Sequence, residues 1–224
     1  MSVNWKYFFR DSYKSDKPYY LKAGYGNKLS VKLRRELIKK IIRKFYSSGI
    51  CVDIGCGSGI YCDILPTNYV GIDFVFEALT LLKQSCSNKY VCVACATDLP
   101  INDEISYLTI SIEAVQYIKN FDLFFREVSR ITKHGGIFIM IAPNPDSIQW
   151  ILMQKIKGKS LFNFIDIPST INALKKFNFS VLKIDSIFAP LFPLDYLNLM
   201  LDVKLPYNFI KTFSKSFVIV AKKI

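Results

Sequence analysis

Cys51-Val52-Asp53-Ile54-Gly55-Cys56-Gly57-Ser58-Gly59 is the stretch on which the fold of this 224-residue chain turns. A short apolar run ends in an acid, and three glycines follow at alternate positions. A buried parallel strand that bends tightly into a helix calls for this pattern. Glycine reaches backbone conformations closed to other residues and leaves the main chain bare to a ligand. Asp53 stands just before the turn, where it can accept a hydrogen bond from a cationic group. Dinucleotide-binding turns use Gly-x-Gly-x-x-Gly, whose last glycine lets helix and strand pack closely. Counted from Gly55, that sixth position is Ile60, so the spacing is Gly-x-Gly-x-Gly preceded by an acid.

Outward from the turn, Tyr69-Val70-Gly71-Ile72-Asp73 reads as a second buried strand ending in an acid. Asp73 lies about twenty residues past the first glycine, where a carboxylate grips ribose hydroxyls and repels a 2′-phosphate. A third apolar run, 90–94, precedes Cys95-Ala96-Thr97-Asp98-Leu99-Pro100. A fourth, 107–112, leads into Glu113-Ala114-Val115-Gln116-Tyr117-Ile118. Phe125-Arg126-Glu127-Val128-Ser129-Arg130-Ile131-Thr132-Lys133-His134-Gly135-Gly136 then reads as a helix and a glycine turn before a fifth strand.

Across residues 45–145 this succession resembles, motif by motif, the class I S-adenosylmethionine-dependent methyltransferases of type 11. The resemblance implies a Rossmann-like α/β fold. Its seven-stranded sheet would be mostly parallel with an antiparallel last strand, and helices would cover both faces. It also implies S-adenosyl-L-methionine as cofactor. By that likeness Gly55, Gly57 and the neighbouring Cys56 and Gly59 backbone hold the methionine part, with Asp53 at its amino group. Asp73 holds the ribose, and Ala96 and Thr97 flank the adenine. Phe74 and Ser111 complete the set. Family members often place an acid where this chain has Cys95, and Asp98 is the candidate substitute. Tyr117 stands where a histidine is common, so Tyr117 and Glu113 are the candidate catalytic residues; Glu113 could equally cap a helix. His134, the one histidine, replaces a proline in a loop expected on the face away from the cofactor.

The remaining pattern fills in this frame. Residues 30–46 carry Leu33, Leu37, Ile38, Ile41, Ile42 and Phe45 at helical spacing, with Lys32, Arg34, Arg35, Lys39, Lys40, Arg43 and Lys44 on the other positions. That basic face reads either as a solvated surface or as an anion-binding one. Helices are expected over 76–86, 119–132 and 170–177, and an irregular or helical insert over 147–157. Asn144 and Asp146 follow the fifth strand (137–142) at the ligand face. Strands over 180–185 and 217–221 close the sheet as a hairpin. The domain reading is a basic, aromatic lid over 1–29 and a single catalytic domain over 30–224. In the lid Tyr13 and Tyr20 are candidates to shield a sulfonium, which an aromatic face stabilises. The 186–216 connection is long and apolar: a substrate cap, a dimer face or ordinary core.

Composition bounds the function. The chain has no uninterrupted apolar stretch of bilayer-spanning length, and Met1 to Lys6 lacks the apolar core of a signal peptide. Six cysteines spread through strands and turn suggest buried thiols rather than a disulfide framework, and hence a cytoplasmic protein. With one histidine, Cys92 and Cys95 do not suggest a metal site. Residues 1–50 hold thirteen Lys or Arg against three acids, a net +10 of the total +12. So localised a field suggests attraction to phosphate, in RNA or at an anionic membrane surface. Three functions follow: methyl transfer to a small or lipid-like acceptor, methyl transfer to RNA such as tRNA, or a non-catalytic cofactor-binding scaffold. The expected partners are a small-molecule or lipid-like acceptor and, through the basic N-terminal region, RNA or an anionic membrane surface; an oligomer is compatible with each reading.

Overall fold

Alternation along one strand shows how the layers form. In β5 (Thr132–Pro143), Ile137, Ile139 and Ile141 belong to one apolar cluster, while Phe138, Met140 and Ala142 belong to another. Side chains of a strand point alternately to opposite faces, so a strand apolar at every position is a strand covered on both sides.

The computed structural model describes residues 4–148, 150–152, 162–188 and 212–224. The strands are β1 (Ile50–Ile54), β2 (Tyr69–Asp73), β3 (Tyr90–Val93), β4 (Ser106–Ile112), β5, β6 (Phe179–Phe188) and β7 (Ser214–Lys223). Their order in the sheet is β3-β2-β1-β4-β5-β7-β6. β1 to β5 pair in parallel, and β7 runs antiparallel to both β5 and β6. The expected seven-stranded architecture with an antiparallel last strand is therefore present.

The helices are α1 (Trp5–Lys14), α2 (Tyr19–Lys22), α3 (Lys28–Phe45), α4 (Phe76–Ser85), α5 (Phe121–Ile131) and α6 (Ile167–Lys176). α3 and α4 bury Leu37, Ile38, Ile41, Leu79 and Leu82 on one face of the sheet. α5 and α6 bury Phe124, Phe125, Val128 and Leu174 on the other. Start signals are built into the chain: Asn27, Asn120 and Asp166 accept from the backbone N–H three residues on, at 2.8, 3.1 and 2.7 Å. Such caps satisfy donors that the first helical turn leaves unpaired.

Two expectations are corrected here. The Lys133-His134-Gly135-Gly136 stretch is not a separate loop before β5. The ladder pairs Ser106 with Thr132 and then Leu108 with Ile137, so extra residues bulge out inside one long strand. Gly135 takes φ +78 there. The thiols are also not all free: Cys62 and Cys86 form a disulfide between the segment after the glycine turn and the end of α4. Cys51 and Cys56 are free and buried as expected. Of the 186–216 connection, residues 189–211 lie outside the described residues, as do 149 and 153–157 of the 147–157 insert; Ile148 and 150–152 are helical. Among the described residues no helix is long and apolar enough to cross a membrane.

Candidate functional site

The C-terminal ends of β1, β2 and β4 meet at the point where the sheet order reverses, the usual ligand crevice of such sheets. A cavity of about 550 Å³ opens there. Its walls include Asp53, Gly55, Cys56 and Gly57 after β1, Asp73 and Phe74 after β2, Ala96 and Thr97 after β3, and Glu113 and Tyr117 after β4. Ten of the residues singled out from the sequence thus share one cavity.

The glycine turn is bare for structural reasons. Gly55 takes φ +78, and a Cβ on it would lie 2.3 Å from the Ala114 Cβ, so the turn and the end of β4 touch. Gly57 takes φ +54, and a Cβ there would meet the Tyr13 hydroxyl at 2.7 Å. A side chain would collide with Ala114 at the first position and with Tyr13 at the second. The turn is tied to β2, because Gly57 N donates to Asp73 Oδ2 at 2.8 Å while Val75 N donates to Oδ1 at 2.9 Å. Tyr69 Oη donates to Asp53 Oδ2 at 3.0 Å.

Both carboxyls are buried. Burial pushes Asp53 up to about 7; the Tyr69 hydrogen bond opposes this and the nearby Asp73 charge adds to it. Burial likewise pushes Asp73 up to about 6, against the N–H groups of Val75, Gly57 and Phe74. Removing water from an anion favours its protonated form. Two acids near neutrality beside a bare main-chain bend suit a ligand that brings its own positive charge and hydroxyl donors.

Ala96 and Thr97 are carried on a braced segment. Glu127 of α5 accepts from Leu99 N at 2.8 Å, and Arg130 donates to the carbonyls of Leu99 and Ile101 at 2.8 and 2.6 Å. Three assigned residues stand outside the cavity wall. Gly59 packs toward Leu82 of α4, where a Cβ would come within 2.6 Å. Ser111 is buried in the sheet and donates to the Ile54 carbonyl at 3.0 Å. Asp98 closes a turn, its N–H donating to the Cys95 carbonyl at 3.0 Å. His134 is exposed at the opposite end of the sheet, as expected. Asn144 is buried and donates to Ser214, away from the cavity wall.

Glu113 follows β4 in the left-handed region, at φ +53, a conformation that costs energy for a residue with a side chain. It is held by a partner the sequence reading placed on a basic face. Arg34 of α3 is fully buried and donates to Glu113 Oε1 from Nε at 3.1 Å and from Nη2 at 2.6 Å. Ser216 Oγ donates to the same oxygen at 2.7 Å. Burial opposes the Arg34 charge, but the Glu113 carboxylate, its hydrogen bond and the nearby Tyr25 and Tyr61 together outweigh it and keep the guanidinium protonated. The signal for Arg34 was present: it falls on the stripe of Leu37, Ile38 and Ile41, where a side chain must turn inward.

Aromatic rings close the outer wall. Tyr117 meets Trp5 at 4.8 Å and Phe9 at 4.9 Å, both from α1. Burial first, then the Glu113 charge, raises the Tyr117 phenol, so at neutral pH it is a donor and not an anion. Tyr13 lies over the turn and is raised by burial and by Asp73. Tyr20 is not on the cavity wall and packs against the core; Trp5, Phe9 and Tyr25 are there instead.

Known proteins resemble this chain in sequence and in fold. A family model described as a methyltransferase domain matches residues 52–140. The chain is 30% identical over 225 residues to the Methanocaldococcus jannaschii protein MJ1252, of uncharacterised function, covering 89% of this chain and 85% of that one. It is 25% identical over 108 residues to a fatty-acid O-methyltransferase of Mycolicibacterium smegmatis, 44% of this chain and 39% of that one. Among solved structures, the geranyl diphosphate C-methyltransferase of Streptomyces coelicolor, seen with Mg2+, geranyl diphosphate and S-adenosyl-L-homocysteine, superposes with a TM-score of 0.66. It is 14% identical, with 99% of this chain and 98% of that one covered.

Proposed function

Since the chain belongs to the class I S-adenosylmethionine-dependent methyltransferases, enzymes that use S-adenosyl-L-methionine, we propose that its acceptor is a small apolar or lipid-like molecule. The observation that carries this is the cavity itself. One enclosure joins the glycine turn and its two carboxyls to a wall of Trp5, Phe9 and Tyr117. Apolar pockets with a few placed polar groups take small molecules. The partial likeness to a fatty-acid O-methyltransferase points the same way.

The cradle fits the cofactor, because its glycines leave main chain where side chains would stand. Gly55, Cys56 and Gly57 would hold the methionine part, Asp53 its amino group and Asp73 the ribose. Phe74, Ala96 and Thr97 would flank the adenine. When bound, the cofactor supplies a methyl group already activated by positive sulfur, so the protein's task is to position the acceptor and exclude water. Glu113, fixed by Arg34 and Ser216, and the Tyr117 hydroxyl orient the acceptor. α1 is the lid: Trp5, Phe9 and Tyr13 are its contribution to the cavity wall.

RNA as acceptor is the second reading, drawn from the +10 of the first fifty residues. On α3 the charges are partly spent: Arg34 is buried, Arg35 pairs with Asp63 and Lys39 with Glu36. Incubation with methyl-labelled S-adenosylmethionine and fractionated cell extract tests the proposal. Label is expected in the organic-soluble or small-molecule pool. Label confined to RNA or protein overturns it.

A further inference from the structure

Around the mouth of the cavity, apolar side chains stand in solvent. On α1, Phe8 is 53% exposed; Ile151 and Leu152, far along the chain, are 43% and 52% exposed. Ring contacts run from α1 to Trp150, the residue before Ile151. Phe8 meets Trp5 edge-on at 5.5 Å, Trp5 stacks on Phe162 at 5.3 Å, and Phe162 meets Trp150 at 5.7 Å. Trp5 also lines the cavity, so this apolar rim borders its opening. A contiguous exposed apolar patch marks an interaction site more often than scattered residues do. Lys6 and Lys119 stand exposed on the cavity wall beside it.

We propose that this rim is a docking surface for an anionic lipid bilayer. α1 has the required two-sided form: Phe9 and Tyr13 are buried inward, while Tyr7 and Phe8 face out. Interfacial helices combine such an apolar contribution with cations that reach acidic headgroups. Arg10 and Lys14 already pair with Asp11 and Glu77, so among the described residues Lys6 and Lys119 are the cations on the cavity wall beside the rim. Single-stranded RNA is held by stacking on aromatic faces and by phosphate contacts. Ile151 and Leu152 provide neither, and the acyl region of a bilayer stabilises their burial. Docked in this way, the cavity opens onto lipid, and an acceptor with an apolar tail enters without crossing water. That use rests on the methyl-transfer reading above; the docking itself does not.

Sedimentation of the full chain with vesicles tests the inference. One set is phosphatidylcholine alone, the other phosphatidylcholine mixed with phosphatidylglycerol. Binding to the mixture, weakened by added salt, is expected. Lys6→Gln and Lys119→Gln should each weaken it about five-fold, and Phe8→Ser combined with Leu152→Ser at least about ten-fold. Absence of binding to the mixture overturns the proposal. So does binding that the Phe8 and Leu152 changes leave intact. Calorimetric titration of S-adenosylmethionine into the same preparations separates the two readings: vesicle binding lost with cofactor binding intact removes the docking surface alone.

Discussion

Acidification should release the cofactor, by an amount that the two buried carboxyls set. Asp53 and Asp73 are pushed to about 7 and about 6 in the ligand-free chain. A ligand whose ammonium and hydroxyl groups face carboxylates needs both ionised. Its apparent affinity then falls by the product of (1 + 10^(pKa − pH)) over the two groups. From about pH 8 to about pH 6 that product rises from about 1 to about 20, or about 1.8 kcal/mol of binding. The neighbouring Cys56 thiol and the Tyr13 and Tyr69 phenols are raised by burial and do not titrate in this window. Stability of the ligand-free chain runs the other way. Its pKa values are raised, so the folded chain holds more protons than the unfolded one between about pH 4 and pH 7. The stabilisation from these two groups is present below about pH 4 and is lost as pH rises through 6 and 7. Isothermal titration across this range measures the affinity, and melting with and without cofactor measures the linkage. In Asp73→Asn one titration remains, and loss of the Asp73 charge also lowers Asp53, so the pH dependence should shrink to about ten-fold at most. An affinity constant within about two-fold between pH 8 and pH 6 would refute the placement of both carboxyls at the ligand.

Three other outcomes follow from particular contacts. Gly55→Ala places a methyl 2.3 Å from the Ala114 Cβ at φ +78; the backbone conformation alone costs about 1–2 kcal/mol, and cofactor binding should be lost in calorimetry while the far-ultraviolet circular dichroism persists. Arg34→Ala leaves Glu113 without its buried partner and should lower unfolding stability in urea by about 3–5 kcal/mol; the pair Arg34→Met with Glu113→Gln should recover part of that. Cys62→Ser opens a covalent loop with a sequence separation of 24 and should cost about 3 kcal/mol. Reductant should then lower the melting temperature of the parent chain and leave that of the variant unchanged.

The fold was legible because its signals are local. Four of the five parallel strands are apolar runs that end at an acid, a glycine or a proline, β3 being the exception, and the β1 turn states its own geometry. Tyr69–Asp73 matches the expected strand residue for residue. Misplaced boundaries lie where tertiary pairing overrides local preference. β7 extends to Ser214–Lys223, beyond the apolar 217–221 core of that strand, because β5 and β6 offer it partners on both sides. The glycines of the β5 bulge read as a loop because a bulge and a turn use the same residues.

The cofactor side of the cavity was legible for the same reason: its residues follow strands in a fixed succession. The acceptor side was not, because it is assembled from distant segments. Glu113 lies next to β4 in sequence, yet what fixes it is Arg34, 79 residues earlier, and Ser216, 103 residues later. Arg34 was hidden by composition, one cation among many in a basic helix, although its register placed it inward. A charge that must turn toward the core needs a counter-charge there. Buried arginine on an apolar stripe is therefore a search instruction: it asks for an acid at the end of a neighbouring strand, and Glu113, in a strained conformation at the edge of the cavity, answers it.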